Sequence, residues 1–208
     1  KNNREIPDAL YQNLKNRPFT ASPMDVLQSC ISQLPDYDLD IHDDSREMNI
    51  KRAKMLISKI PTIVAVWDRI RNGKEIIDPS SELTNAENFL YMLFGTKPNH
   101  EEAKIFDICL ILHAEHSFNA STFAAREIAS TKAHIYGSIT GAIAALSGSL
   151  HGGANTQVMK MLLDISKIDK VDTWVTGRLE QGDRIMGMGH AVYKTTDPRA
   201  EVLYRLAK

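Results

Sequence analysis

Apolar positions recur along this chain at spacings of three and four, the period of a helix, and no run alternates long enough to read as a strand. Ser22-Pro23 pairs an N-cap residue with proline at the first helical position, which predicts a helix to about Leu34. Pro35 and the acidic stretch from Asp36 to Asp44 predict a loop. Ile50, Ala53, Ile57 and Ile60 share one face of a second helix. Pro61 then predicts a fresh start, with a third helix from Thr62 to Arg71 stopped by Asn72-Gly73. Asn85 to Phe94 is a fourth, closed by Gly95. Glu101 to His116 predicts a long helix whose first-turn acids complement the helix dipole. Helices are also expected over Ser121 to Ser130 and over Ile135 to Leu146, where Gly, Ala and Ser suit close helix–helix approach. Further helices are expected to about Ile165 after the loop His151 to Asn155, from Val171 to Leu179, and from Pro198-Arg199 onward, with Gly182 to Gly189 as loop. The expected fold class is all-α, without an internal repeat.

Composition narrows the possibilities. The 208 residues suffice for one sizeable core, or a core plus part of a second domain. A formal net charge of −1 provides no global field for nucleic acid or an anionic membrane, so an anionic ligand must be held by a few local cations. No stretch reaches the roughly 18 apolar residues of a membrane span. Cys30 and Cys109 lie far apart within apolar runs, which argues against a disulfide framework or zinc ribbon and for a reducing compartment. Lys1-Asn2-Asn3-Arg4 is neither a signal peptide nor an initiator methionine, the start expected of a fragment.

Three of the seven histidines sit where chemistry is possible. His116 ends an apolar helix face three residues after His113. The pair could touch one metal, or each could be a core histidine bonded to backbone. No second His/Cys cluster supplies further ligands. His151 precedes Gly152-Gly153 and a helix start, which offers free N–H groups to an oxyanion or thioester carbonyl; the glycines read equally as a plain turn. His190 follows Met186-Gly187-Met188-Gly189, with Lys194 and Arg199 close behind. No strand precedes the glycines, so a dinucleotide fingerprint fits poorly, and an anion site competes with a solvated basic turn.

Together, three ordered blocks resemble the citrate synthase family. They are Leu112-His113-Ala114-Glu115-His116 with Asn119-Ala120-Ser121-Thr122, then Gly148-Ser149-Leu150-His151-Gly152-Gly153-Ala154-Asn155, then Gly187-Met188-Gly189-His190-Ala191-Val192-Tyr193-Lys194 with Asp197-Pro198-Arg199-Ala200. Softer matches, such as Pro61-Thr62-Ile63-Val64-Ala65 and Ala86 to Gly95, extend the similarity over nearly the whole chain. The resemblance implies an acyltransferase of the tricarboxylic acid cycle that condenses acetyl-CoA, its cosubstrate, with oxaloacetate and water. It implies no permanently bound cofactor, a cytoplasmic homodimer, and no nucleic-acid or membrane partner. By the same match His151 stabilises the enol of the thioester, His190 polarises the ketone of oxaloacetate, and His116 and Arg199 contact oxaloacetate. Gly187 and Lys194 fall in the loop that contacts CoA. The family's division places residues 1–152 in a large helical domain and 153–208 in a small one. The base, an aspartate, and two further arginines are expected downstream of Lys208, so these 208 residues alone are expected to form negligible citrate. The same blocks fit 2-methylcitrate synthase, which takes propionyl-CoA. A catalytically silent helical dimerisation module and a helical metalloprotein are the other readings.

Overall fold

The computed structural model describes residues 3–115, 117–188 and 194–207. Among them every regular element is helical, in keeping with the all-α expectation. The elements are α1 (Asp8–Lys15), α2 (Pro23–Gln33), α3 (Arg46–Arg71), α4 (Asn85–Phe94), α5 (His100–His113), α6 (Ala120–Ser130), α7 (Ile135–Ser147), α8 (Ala154–Ile165), α9 (Val171–Glu180) and α10 (Pro198–Leu206). They form two compact units, Lys1–Ala145 and Leu146–Lys208.

The core of the first unit lies where α1, α2, α3 and α7 meet, around Leu10, Leu14, Val26, Ile31, Ile63, Trp67 and Tyr136. Helix α1 was not foreseen; Leu10 and Leu14, one turn apart, are fully buried by it. Helix α4 begins with a capping box in which Thr84 Oγ1 accepts from the Glu87 N–H and Glu87 accepts from the Thr84 N–H, and it ends at Gly95 with φ +88°. Asn99 and Glu102 repeat the box at α5, which stops at His113, short of the expected His116.

The largest departure from expectation is α3. Pro61 starts no new helix; a single 26-residue helix runs through it. An interior proline costs about 3 kcal/mol. Around it Leu56, Ile63, Val66 and Trp67 are buried, each worth about 1.5–3 kcal/mol, which outweighs that loss. The face that packs also differs from the Ile50/Ile57 face. Those two side chains are 45% and 63% exposed, while Arg52 and Leu56 point inward.

Arg52 is 2% exposed and organises the acidic loop before α3. Its Nε donates to Asp38 Oδ2 at 2.6 Å, and its two terminal nitrogens donate to the Asp43 and Asp40 carbonyls. The fully buried Tyr136 donates its hydroxyl to the same Asp38 oxygen at 3.0 Å. Thus residues 38–44, within the loop expected from Asp36 to Asp44, are tied down by one arginine.

In the second unit, Trp174 of α9 donates from its indole N–H to Asp164 of α8 at 2.7 Å, and the Arg178 guanidinium lies 5.0 Å from the Trp174 ring centre. No helix among the described residues is long and apolar enough to cross a membrane.

Candidate active-site elements

The first motif block joins α5 to α6. At its near end His113 Nδ1 lies 2.6 Å from the Cys109 carbonyl, the contact of a helix-terminal histidine. At its far end Asn119 Oδ1 accepts from the Thr122 N–H at 2.9 Å and so caps α6. Phe118 and Phe123 flank that cap edge to face, 5.6 Å apart, as a hydrophobic staple. The Asn-Ala-Ser-Thr string therefore has a local structural reason. His116 lies outside the described residues. Among the described residues no group of three metal-ligating side chains occurs.

The second block turns the chain from α7 into α8 in six residues. The His151 and Gly153 N–H groups donate to the Gly148 carbonyl at 3.0 and 3.3 Å, and the Gly152 N–H donates to Leu146 at 3.0 Å. A methyl at Gly152 would overlap the Leu146 carbonyl oxygen, and one at Gly153 would lie 2.9 Å from Ser149 Cα. The glycine pair is thus required by the turn's own packing. That packing puts His151, half-buried, directly before the open N-terminus of α8, where Gly153 supplies no side-chain cap. Gly152→Ala is expected to lower the thermal midpoint, a loss of about 1–3 kcal/mol from forced overlap. Gly177→Ala on α9, where nothing lies within 4 Å, is expected to leave stability unchanged or raise it by up to about 1 kcal/mol. Equal midpoints for the two variants would contradict the overlap.

The third block is described up to Met188 and from Lys194, so His190 lies outside the described residues. Gly187 has φ +84°, and a Cβ there would come within 3.1 Å of Val158. Both facts call for glycine. Lys194 is exposed. Asp197 caps α10, accepting from the Arg199 N–H at 2.9 Å, with Pro198 at the first helical position. The Arg199 guanidinium folds back on the same carboxylate, Nε at 3.0 and 3.1 Å and Nη2 at 2.6 Å. A bound carboxylate would have to share this arginine with Asp197.

A cleft of about 430 Å³ that sequence reasoning missed adjoins this loop, lined by α8, α9 and residues 183–186. It holds Lys160, Arg178 and Arg184 with Asp164 and Asp183. Arg178 is engaged by Asp183 at 2.9 Å and Asp164 at 3.9 Å. Spacing offered no signal for it, because its cations come from three separate segments.

The citrate synthase C-terminal domain model matches residues 1–208. The chain belongs to the citrate synthase family. It is 43% identical over 203 residues to the citrate synthase of Deinococcus radiodurans, covering 98% of this chain and 54% of that protein. It is 45% identical to a citrate/2-methylcitrate synthase of Bacillus subtilis, covering 94% of this chain and 53% of the other. Among solved structures, the citrate synthase of Thermoplasma acidophilum, in ternary complex with carboxymethyl coenzyme A and oxaloacetate, superposes with a TM-score of 0.88 at 29% identity, covering 96% of this chain and 52% of that one. The chain spans about half the length of the curated relatives it matches. This citrate synthase-family chain therefore has the fold expected from its three blocks, and His151, Gly187, Lys194 and Arg199 all fall within its second unit.

Proposed function

We propose that the protein is a cytoplasmic citrate synthase, an acyltransferase that joins the methyl carbon of acetyl-CoA to the keto carbon of oxaloacetate, after which water cleaves the thioester to release citrate and CoA. The observation that carries this reading is the placement of His151 by a closed turn at an uncapped helix start, within a chain of this family. A thioester α-proton is a weak acid, so the enol oxygen needs a donor held in place before reaction. His151 is assigned that task. His190 polarises the ketone, His116 and Arg199 hold oxaloacetate, and Gly187 and Lys194 contact CoA. Lys160 and Arg184 of the neighbouring cleft add positive charge suited to a phosphorylated cosubstrate. The base is the aspartate that the family places beyond the third block. The division into a large domain (1–152) and a small one (153–208) belongs to the same reading.

Self-association is part of the proposal. Ile50, Ile57 and Val64, seven residues apart on α3, form an exposed apolar stripe that supports a homodimer.

The test is CoA release by the natural gene product, with oxaloacetate present and acetyl-CoA or propionyl-CoA supplied. Acetyl-CoA is expected to give the higher kcat/KM, by about 10–200-fold, the range one methylene confers. A preference for propionyl-CoA would favour the second reading, 2-methylcitrate synthase, which the 45% identity to the dual-named relative supports. No oxaloacetate-dependent release with either thioester would refute both.

A further inference from the structure

Helix α10 opens on Asp197, Pro198 and Arg199, and the carboxylate there does more than cap. At α3, α4, α5 and α6 the cap is a neutral side chain, Ser45, Thr84, Asn99 or Asn119, that accepts a backbone N–H. Asp197 meets that need with Oδ1, which accepts from the Arg199 N–H at 2.9 Å. A serine or asparagine would cap equally well. The carboxylate goes on to hold the other end of the same residue. Arg199 Nε donates to Oδ1 at 3.0 Å and to Oδ2 at 3.1 Å, and Nη2 donates to Oδ2 at 2.6 Å. Both ends of the arginine are thus fixed by one anion.

The place of Arg199 calls for such a clamp. A guanidinium in the first turn sits at the positive end of the helix dipole, where a cation is disfavoured. The Asp197 charge offsets that. The side chains of Arg199 and Asp197 are 27% and 23% exposed, so water screens part of their attraction. The weight of the pair lies in order more than in Coulomb energy. A loose arginine has rotamer freedom worth about thirtyfold in an equilibrium constant, and a clamp that removes it beforehand leaves less to lose when an anion arrives. Asp197 grips the guanidinium along the edge formed by Nε and Nη2, which fixes the plane in which the fork meets a second carboxylate.

We propose that Asp197 is the positioning residue of the substrate arginine, setting the guanidinium plane before oxaloacetate arrives. This rests on the reading of Arg199 as an oxaloacetate contact. Asp197 acts through Arg199 and not on a reacting atom. An arginine that holds the substrate alike before and during reaction contributes uniform binding, so the clamp acts on KM and leaves kcat nearly alone.

The test is steady-state kinetics of the natural gene product and three variants, with thermal midpoints. Asp197→Ser keeps a cap and loses the clamp. It is expected to raise the oxaloacetate KM by about tenfold, with kcat, the acetyl-CoA KM and the midpoint nearly unchanged. Arg199→Ala is expected to raise the same KM further, and adding Asp197→Ser to it is expected to change nothing more, because the two residues act as one unit. An unaltered or lowered oxaloacetate KM in Asp197→Ser, beside a raised one in Arg199→Ala, would overturn the clamp alone. So would a double variant worse than Arg199→Ala, or an Asp197→Ser enzyme whose midpoint falls while both KM values rise, the pattern of a mere cap. An ordinary oxaloacetate KM in Arg199→Ala would overturn the assignment of Arg199 itself, and the clamp with it.

Discussion

Replacing His151 by alanine in the natural gene product is expected to lower kcat for citrate formation by about 10²–10³ with a much smaller change in KM, the pattern of losing a donor that acts on developing charge. The substitution is informative because the turn around His151 is closed by backbone groups. The Gly148 and Leu146 carbonyls accept from the main chain at residues 151 to 153, and an alanine keeps all of these bonds. The start of α8 also keeps its position, since the overlap-forbidding residues are Gly152 and Gly153. What is removed is the imidazole. His151→Gln, which retains a neutral N–H donor, is expected to recover part of the rate. Steady-state kinetics with acetyl-CoA and oxaloacetate, alongside circular dichroism to verify folding, make the measurement. A change in kcat below tenfold in a folded His151→Ala enzyme would remove His151 from the mechanism.

Asp38→Ala is expected to destabilise the first unit by about 3–5 kcal/mol, the cost of leaving a buried charge without its partner. Arg52 would be left 2% exposed beside a lost acceptor, and the Tyr136 hydroxyl would lose its acceptor as well. Tyr136→Phe removes only one of the hydrogen bonds to Asp38 and is expected to cost about 1 kcal/mol. Burial by itself would raise the Asp38 pKa, but hydrogen bonds from Arg52, Tyr136 and the Asp40 N–H outweigh it and hold the carboxyl below its ordinary value. The sign of the pH effect follows. With the folded value below the unfolded one, near 3.9, Asp38 contributes its full stabilisation above about pH 4. That contribution is lost as pH falls through the folded value. Urea midpoints measured from neutral pH down to about pH 3 should therefore fall in the parent chain, and the Asp38→Ala chain should lack this component. Equal urea midpoints at neutral pH for Asp38→Ala and Tyr136→Phe would show that Arg52 is not relying on Asp38.

Much of the helix plan was legible because its signals are local. Gly95 at φ +88° closes α4 within one turn, so its place in the sequence was enough to locate that end, while the equally local capping boxes of Thr84 with Glu87 and Asn99 with Glu102 were seen only in the structure. The three motif blocks were legible in the same way, as strings, and the glycines of the second block now have a packing reason in Leu146 and Ser149. Pro61 misled because the rule it invokes is local while the energy that overrules it is not; Leu56, Ile63, Val66 and Trp67 are buried in a core shared with α1, α2 and α7. Arg52 was equally unreadable. An arginine on a helix is ordinarily solvated, and nothing near it in sequence announces that Tyr136, 98 residues from Asp38, will share that carboxylate. What the amino-acid order determined by itself was helix type, most helix ends and the family's chemical vocabulary, all set by interactions within a few residues. Only the tertiary structure decided which helix faces are buried, that Pro61 is carried inside one long helix, and where a charge could be sealed in, because each depends on burial shared between segments remote in sequence.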